Sequence, residues 1–151
     1  MFSKATEYAL RATIFIAQKS SEEHKLGIDE IAHAIDSPKS FTAKILQILT
    51  RDNQIISSVR GPNGGFFLTK KSKKLPARSI LLAMGEEEML EKCVLGLKQC
   101  SELQPCPMHA QYKSIRKQLK ELFINKTIEQ LATEIKDGVV FISNQQTGTK
   151  K

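Results

Sequence analysis

Four residues with soft donor atoms lie close together in the chain: Cys93, Cys100, Cys106 and His109, spaced C-x6-C-x5-C-x2-H. Thiolates joined by an imidazole suit iron or zinc, so this stretch reads as a metal centre for one or the other. The cysteines are the only three in the chain, and an odd number cannot close into a disulfide framework. Zinc is the first alternative, but the wide intervals lack the close C-x2-4-C pairs of most structural zinc sites. Thiols that oxidise without any metal are the second. They would require a cysteine of lowered pKa, to which Lys92 or Lys98 could contribute.

No other constellation points to catalysis. His24 and His33 have no obvious catalytic partners in the sequence, and neither a nucleophile motif nor a dinucleotide fingerprint is present. The glycines at 61, 64 and 65 are followed by neither Lys-Ser/Thr nor a helix, so they are not a phosphate-binding loop. An enzyme is therefore not expected. Charge points elsewhere: 23 basic residues against 16 acidic give a net +7, which favours a polyanionic partner. From Lys39 to Arg78 there are nine basic residues and one acid, Asp52, as a nucleic-acid face requires. The apolar run Ala9 to Ala17 is broken by Arg11 and Thr13 and is too short to span a bilayer. A cytoplasmic protein with no membrane partner is the expectation.

Elements of a recognisable kind must hold these residues. Ser3 can cap a helix that runs to about Lys19, with Tyr8, Ala9, Ala12, Ile16 and Ala17 inward. Gly27 precedes a short second helix with Ile28, Ile31, Ala32 and Ile35 on its apolar face. Ser37 as cap and Pro38 as first helical residue then start a third, whose stripe is Phe41, Ile45, Leu46, Ile48 and Leu49. Two short helices joined by a tight turn read as a helix-turn-helix. Lys39, Ser40, Thr42, Ala43, Lys44 and Gln47 are left outside on the third helix, at an end where backbone N–H groups favour phosphate.

Ile55 to Val59 and Phe66 to Leu68 read as two strands joined by the turn-rich Arg60 to Gly65, a wing whose Arg60 can enter a minor groove. Lys70 to Lys74 reads as a basic connector. A short helix after Pro76 takes Ile80, Leu81, Leu82 and Met84 inward and stops at Gly85, and Gly96 and Pro105 argue against helix through the cysteine loop. Beyond Pro107 the residues Met108, Tyr112, Ile115, Leu119 and Leu122, with Phe123 beside them, form an a/d seam suited to a partner subunit. Thr127, with Gln130 three residues on, starts a last short helix. Val139 to Ile142 reads as a short strand and Ser143 to Lys151 as a polar end.

The sequence as a whole resembles the Rrf ("Rrf-two") family of winged-helix transcription regulators over about residues 1 to 135. The resemblance rests on the opening S-x-x-x-E-YALRA, the wing SVRGPNGGFFL, and the cysteine loop followed by a long helix. It implies a mainly α fold with a small β-hairpin wing: a winged helix-turn-helix over 1–84, a cluster-binding loop over 85–107, a dimerisation helix and short C-terminal helix over 108–135, and a tail over 136–151. It also implies a homodimer on a pseudo-palindromic operator in double-stranded DNA. The helix bearing Lys39, Ser40, Thr42, Lys44 and Gln47 would lie in the major groove, Arg60 and Gly61 would reach the minor groove, and Tyr112, Ile115, Leu119, Leu122 and Phe123 would hold the dimer. Ala43 stands where IscR-like members carry a glutamate that tunes sequence choice. Cluster-binding members hold a [2Fe-2S] or [4Fe-4S] cluster on three cysteines and a variable fourth ligand. [2Fe-2S] is favoured here. His109 matches IscR-like members as that ligand, and Glu7 of the partner subunit, matching NsrR-like members, is the alternative.

Overall fold

The computed structural model describes residues 1–135 and 139–144. Helix α1 (Lys4–Lys19) begins where the Ser3 hydroxyl accepts the Thr6 N–H at 3.2 Å. Ala9, Ala12, Phe15 and Ile16 are buried along one side. The buried Thr13 satisfies its hydroxyl by donating to the Ala9 carbonyl at 2.8 Å, so it enters the core without an orphaned polar group.

Helices α2 (Ile28–Ala34) and α3 (Lys39–Leu49) pack on α1 through Ile31, Ile35, Ile45, Leu46 and Leu49, all buried. Each such side chain contributes about 1.5–3 kcal/mol on leaving water. The turn between them differs in detail from expectation. Pro38 is the capping residue of α3, and Ser37 makes no capping bond. The Pro38 carbonyl instead accepts both the Thr42 N–H and the Thr42 hydroxyl, each at 2.9 Å. Thr42 is thereby fully buried rather than exposed, because that bond turns its side chain toward the helix body.

The wing pairs β1 (Ser57–Val59) with β2 (Gly65–Phe67) antiparallel, Ser57 opposite Phe67 and Val59 opposite Gly65. The strands are shorter than Ile55–Val59 and Phe66–Leu68, because Ile55, Ile56 and Leu68 are drawn into the core. Leu26 adds a third rung, exchanging backbone bonds of 2.8 and 2.9 Å with Phe66. That contact explains Gly65. Its φ is +145°, and a Cβ there would lie 2.6 Å from the Leu26 carbonyl oxygen.

Lys70 to Lys73, expected as a connector, is a one-turn helix α4, capped by the Thr69 hydroxyl on the Ser72 N–H at 3.0 Å. Helix α5 (Arg78–Ala83) buries Ile80 and Leu81 but leaves Leu82 45% exposed, a correction to its inward placement. Gly85, at φ +72°, ends the element.

A 3-10 turn at Glu87–Leu90 leads into the cysteine loop, which contains no helix, and α6 (His109–Asn125) follows. Helix α7 (Ile128–Thr133) starts with a complete Thr127–Gln130 capping box. It returns to α1 and places Ile128 and Ala132 in the same core as Tyr8 and Leu46. The segment before α5 and the start of α7 are tied by backbone bonds, Ala77 N–H to the Lys126 carbonyl at 2.8 Å and Ile128 N–H to the Leu75 carbonyl at 2.9 Å. After α5 the chain leaves the core through the cysteine loop and α6, and it comes back at these ties. The strand expected at Val139–Ile142 is reduced to a single bridging residue, Val140, and the rest of the expected tail, 136–138 and 145–151, lies outside the described residues.

Candidate metal centre and nucleic-acid interface

The soft donors are drawn together in two pairs. Cys100 Sγ lies 3.2 Å from His109 Nδ1, at the first residue of α6. Cys93 is buried, and the backbone N–H groups of Leu97 and Leu95 point at its sulfur and hold the thiol below its ordinary range. Burial opposes this, while a hydrogen bond with Cys106 and the Gly96 N–H add to it. Backbone amides do here what Lys92 and Lys98 were expected to do. Cys106 and His109 line a cleft of about 380 Å³ with Glu102, Pro105 and Lys113.

The fit to an iron–sulfur centre is therefore one of donor chemistry and pairing. Among the described residues no three His, Cys, Asp or Glu side chains converge closely enough to hold a metal ion. His109 is buried, however, and its Nε2 has no hydrogen-bond partner. A buried ring nitrogen left in this way costs about 1–3 kcal/mol, a cost that bonding to a metal or a donor would remove. Glu7 stands apart on α1, beside Leu10, Arg11, Phe141 and Ile142.

Two ion pairs fasten the loop to α6, Lys120 with Glu91 before Cys93 and Lys113 with Glu102 after Cys100. Along the expected seam of α6, Ile115 and Leu122 are 56% and 49% exposed, and Tyr112, Leu119 and Phe123 are half-buried. Phe123 meets Phe2 edge to face at 5.5 Å. The other helices bury one side each, whereas α6 buries only His109.

The residues expected to meet DNA lie elsewhere in the fold. Lys39, Ser40, Ala43, Lys44 and Gln47 are exposed on α3, and Arg60 and Gly61 are exposed on the wing. No side chain caps α3, so its first N–H groups are left for an anion. Phe41 anchors the helix edge-on against Tyr8 at 5.4 Å, and Arg11 lies 4.6 Å over the Tyr8 ring. One acid intrudes: Asp29 of α2 pairs with Lys39 at 3.0 Å. Sequence reasoning missed this pair, although an acid at the start of α2 and a base at the start of α3 were its available signal. A cavity of about 880 Å³ beside β1, α4 and α5 is lined by residues such as Asn53, Ser57, Lys71 and Leu82 and contains none of the candidate donors.

A family profile described as "Rrf2: Iron-dependent Transcriptional regulator" matches residues 2–134. A protein of Aquifex aeolicus assigned as an HTH-type transcriptional regulator is 31% identical over 87% of this chain and 90% of its own length. The HTH-type transcriptional regulator IscR of Pectobacterium atrosepticum is 24% identical over 95% of this chain and 85% of its own. In three dimensions the fold is similar to that of CymR, the global cysteine regulator of B. subtilis, with a TM-score of 0.70 and 20% identity, covering 90% of this chain and 98% of that one.

Proposed function

We propose, from the premise that the chain belongs to the Rrf2 family of DNA-binding transcription regulators, that its affinity for operator DNA is set by an iron–sulfur cluster reporting redox, nitric oxide or iron status. Cys93, Cys100, Cys106 and His109 would hold the cluster, [2Fe-2S] in preference to [4Fe-4S]. When bound, it supplies a one-electron couple and iron that small oxidants and nitric oxide can attack. The observation that carries this reading is the Cys100–His109 contact, with an imidazole buried and one nitrogen unpartnered.

Exposed Lys39, Ser40, Lys44 and Gln47 would read the major groove, with Arg60 and Gly61 in the minor groove of a pseudo-palindromic site. Thr42, being buried, would act by shaping α3. Two chains would join through Tyr112, Ile115, Leu119, Leu122 and Phe123. The ion pairs from Lys113 and Lys120 link the loop to α6, so a cluster that prefers one loop geometry would bias how two recognition helices are set.

The test is to purify the protein without oxygen in the presence of iron and to measure iron, sulfide, visible absorbance and operator binding before and after cluster loss. Iron and sulfide should be present, should fall in Cys→Ser variants, and operator affinity should change on loss. A protein with neither iron nor sulfide, or one whose affinity ignores their removal, would sink the cluster reading. The low Cys93 pKa supports a second reading, in which metal-free thiols are the sensor. Under it, peroxide alone would change the operator affinity of protein shown to be free of iron and zinc.

A further inference from the structure

Helix α6 carries Lys113, Arg116, Lys117 and Lys120 on the side that faces the cysteine loop. Lys113 and Lys120 have carboxylate partners in Glu102 and Glu91. Among the described residues no carboxylate pairs with Arg116, midway between them, and its Nη1 is buried without a hydrogen bond. It lines a crevice with Glu91, two residues before Cys93, and with Lys113, which in turn lines the cleft of Cys106 and His109. Arg116 as a whole is half-buried, so the cost falls on this one enclosed nitrogen, and an anion beside it would remove that cost.

Arg116 follows His109 by seven residues, two helical turns and about 10 Å along the axis. The two residues therefore share a face, and side chains on a helix lean toward its N-terminus, here toward His109. Both have a buried nitrogen without a partner. Three thiolates on either iron–sulfur core leave the centre net negative, and reduction adds one more negative charge.

We infer that Arg116 is a positioning and charge-compensating residue for the anionic centre of the cysteine loop, favouring its reduced form. This inference rests on the proposed cluster. Its test compares wild type, Arg116→Gln and Arg116→Lys as anaerobically loaded proteins, reading the reduction potential by optical titration and the thermal midpoint of loaded and metal-free forms. Loss of the charge in Arg116→Gln should make reduction about tenfold less favourable, a potential about 59 mV lower for one electron. Arg116→Lys should stay close to wild type. In the metal-free form Arg116→Gln should melt no lower than wild type, since an unpaired buried cation has been removed. An unchanged potential in Arg116→Gln, or one as low in Arg116→Lys, would overturn the inference while leaving the cluster reading intact. Should Arg116→Gln fail to load, the metal-free midpoints decide: a lowered midpoint assigns Arg116 to the fold and overturns its role at the centre, and an equal or higher one supports that role. If wild type itself binds no iron and sulfide, both readings fall.

Discussion

Lys39 opens α3, the proposed recognition helix, and its ammonium is already engaged by Asp29 at 3.0 Å. Both side chains are well exposed, so the pair is worth only about 0.2–1 kcal/mol. Its effect on binding is nonetheless directional, because a phosphate must displace the carboxylate and approach a neighbouring negative charge. Asp29→Asn should therefore tighten operator binding up to about fivefold at low salt, an advantage that shrinks as salt rises. Titration of a labelled operator at two salt concentrations would check this. Equal or weaker binding by Asp29→Asn would mean that Lys39 makes no phosphate contact. Residue-scale features of this kind, including the burial of Thr42 and the orphaned Arg116 nitrogen, arise from where side chains point.

At the scale of elements the wing is the most demanding. Its turn is closed by Gly64, whose N–H donates to the Gly61 carbonyl at 2.9 Å. A Cβ at residue 64 would stand 2.1 Å from the Val59 carbonyl oxygen, a backbone atom that cannot swing aside. Gly64→Ala must open the tip, at a cost of about 1–3 kcal/mol. The thermal midpoint should fall by about 2–4 °C for each kcal/mol lost, and operator affinity should fall with it because Arg60 and Gly61 are displaced. Calorimetry and operator titration would read the two effects. A variant with wild-type midpoint and affinity would show that the tip adapts freely and that its geometry does not matter for DNA.

Across the whole molecule, one core takes in α1, α2, α3, α5, α7 and the base of the wing, while the cysteine loop and α6 form an arm. The arm rejoins the core where Leu75 and Ala77 bond to Ile128 and Lys126, a fixed point on which the proposed coupling to the DNA-binding head would depend. Its exposed Ile115 and Leu122 carry the expected pairing of two chains. Replacing both by Glu should give a monomer by analytical ultracentrifugation, with the helical circular dichroism preserved and operator affinity reduced at least tenfold. A stable dimer in that double variant would move the interface away from α6. The membrane question ends at a plain fact: among the described residues no helix is long and apolar enough to cross a bilayer.

The sequence alone determined whatever follows from local rules. Caps at Ser3 and Thr127, the apolar spacing in α1 and α3, the glycine-rich wing and the family-specific order of motifs each depend on neighbours a few residues away, and each was legible. The cysteine and histidine spacing likewise fixed which donors are available. Only the tertiary structure decided what depends on distant partners. Thr69 starts a helix in a basic stretch that composition reads as a connector. Leu82 turns outward because α5 has a single core-facing side. Helix α7 joins α1 instead of extending the arm because Leu75 and Ala77 supply its backbone bonds. In the cysteine loop, sequence named four candidate donors, whereas packing set Cys100 on His109, placed backbone amides around Cys93 and left one Arg116 nitrogen buried without a hydrogen bond. The physical reason is the same throughout: propensity and periodicity act over a few residues, while burial and charge pairing are settled between residues that only folding brings together.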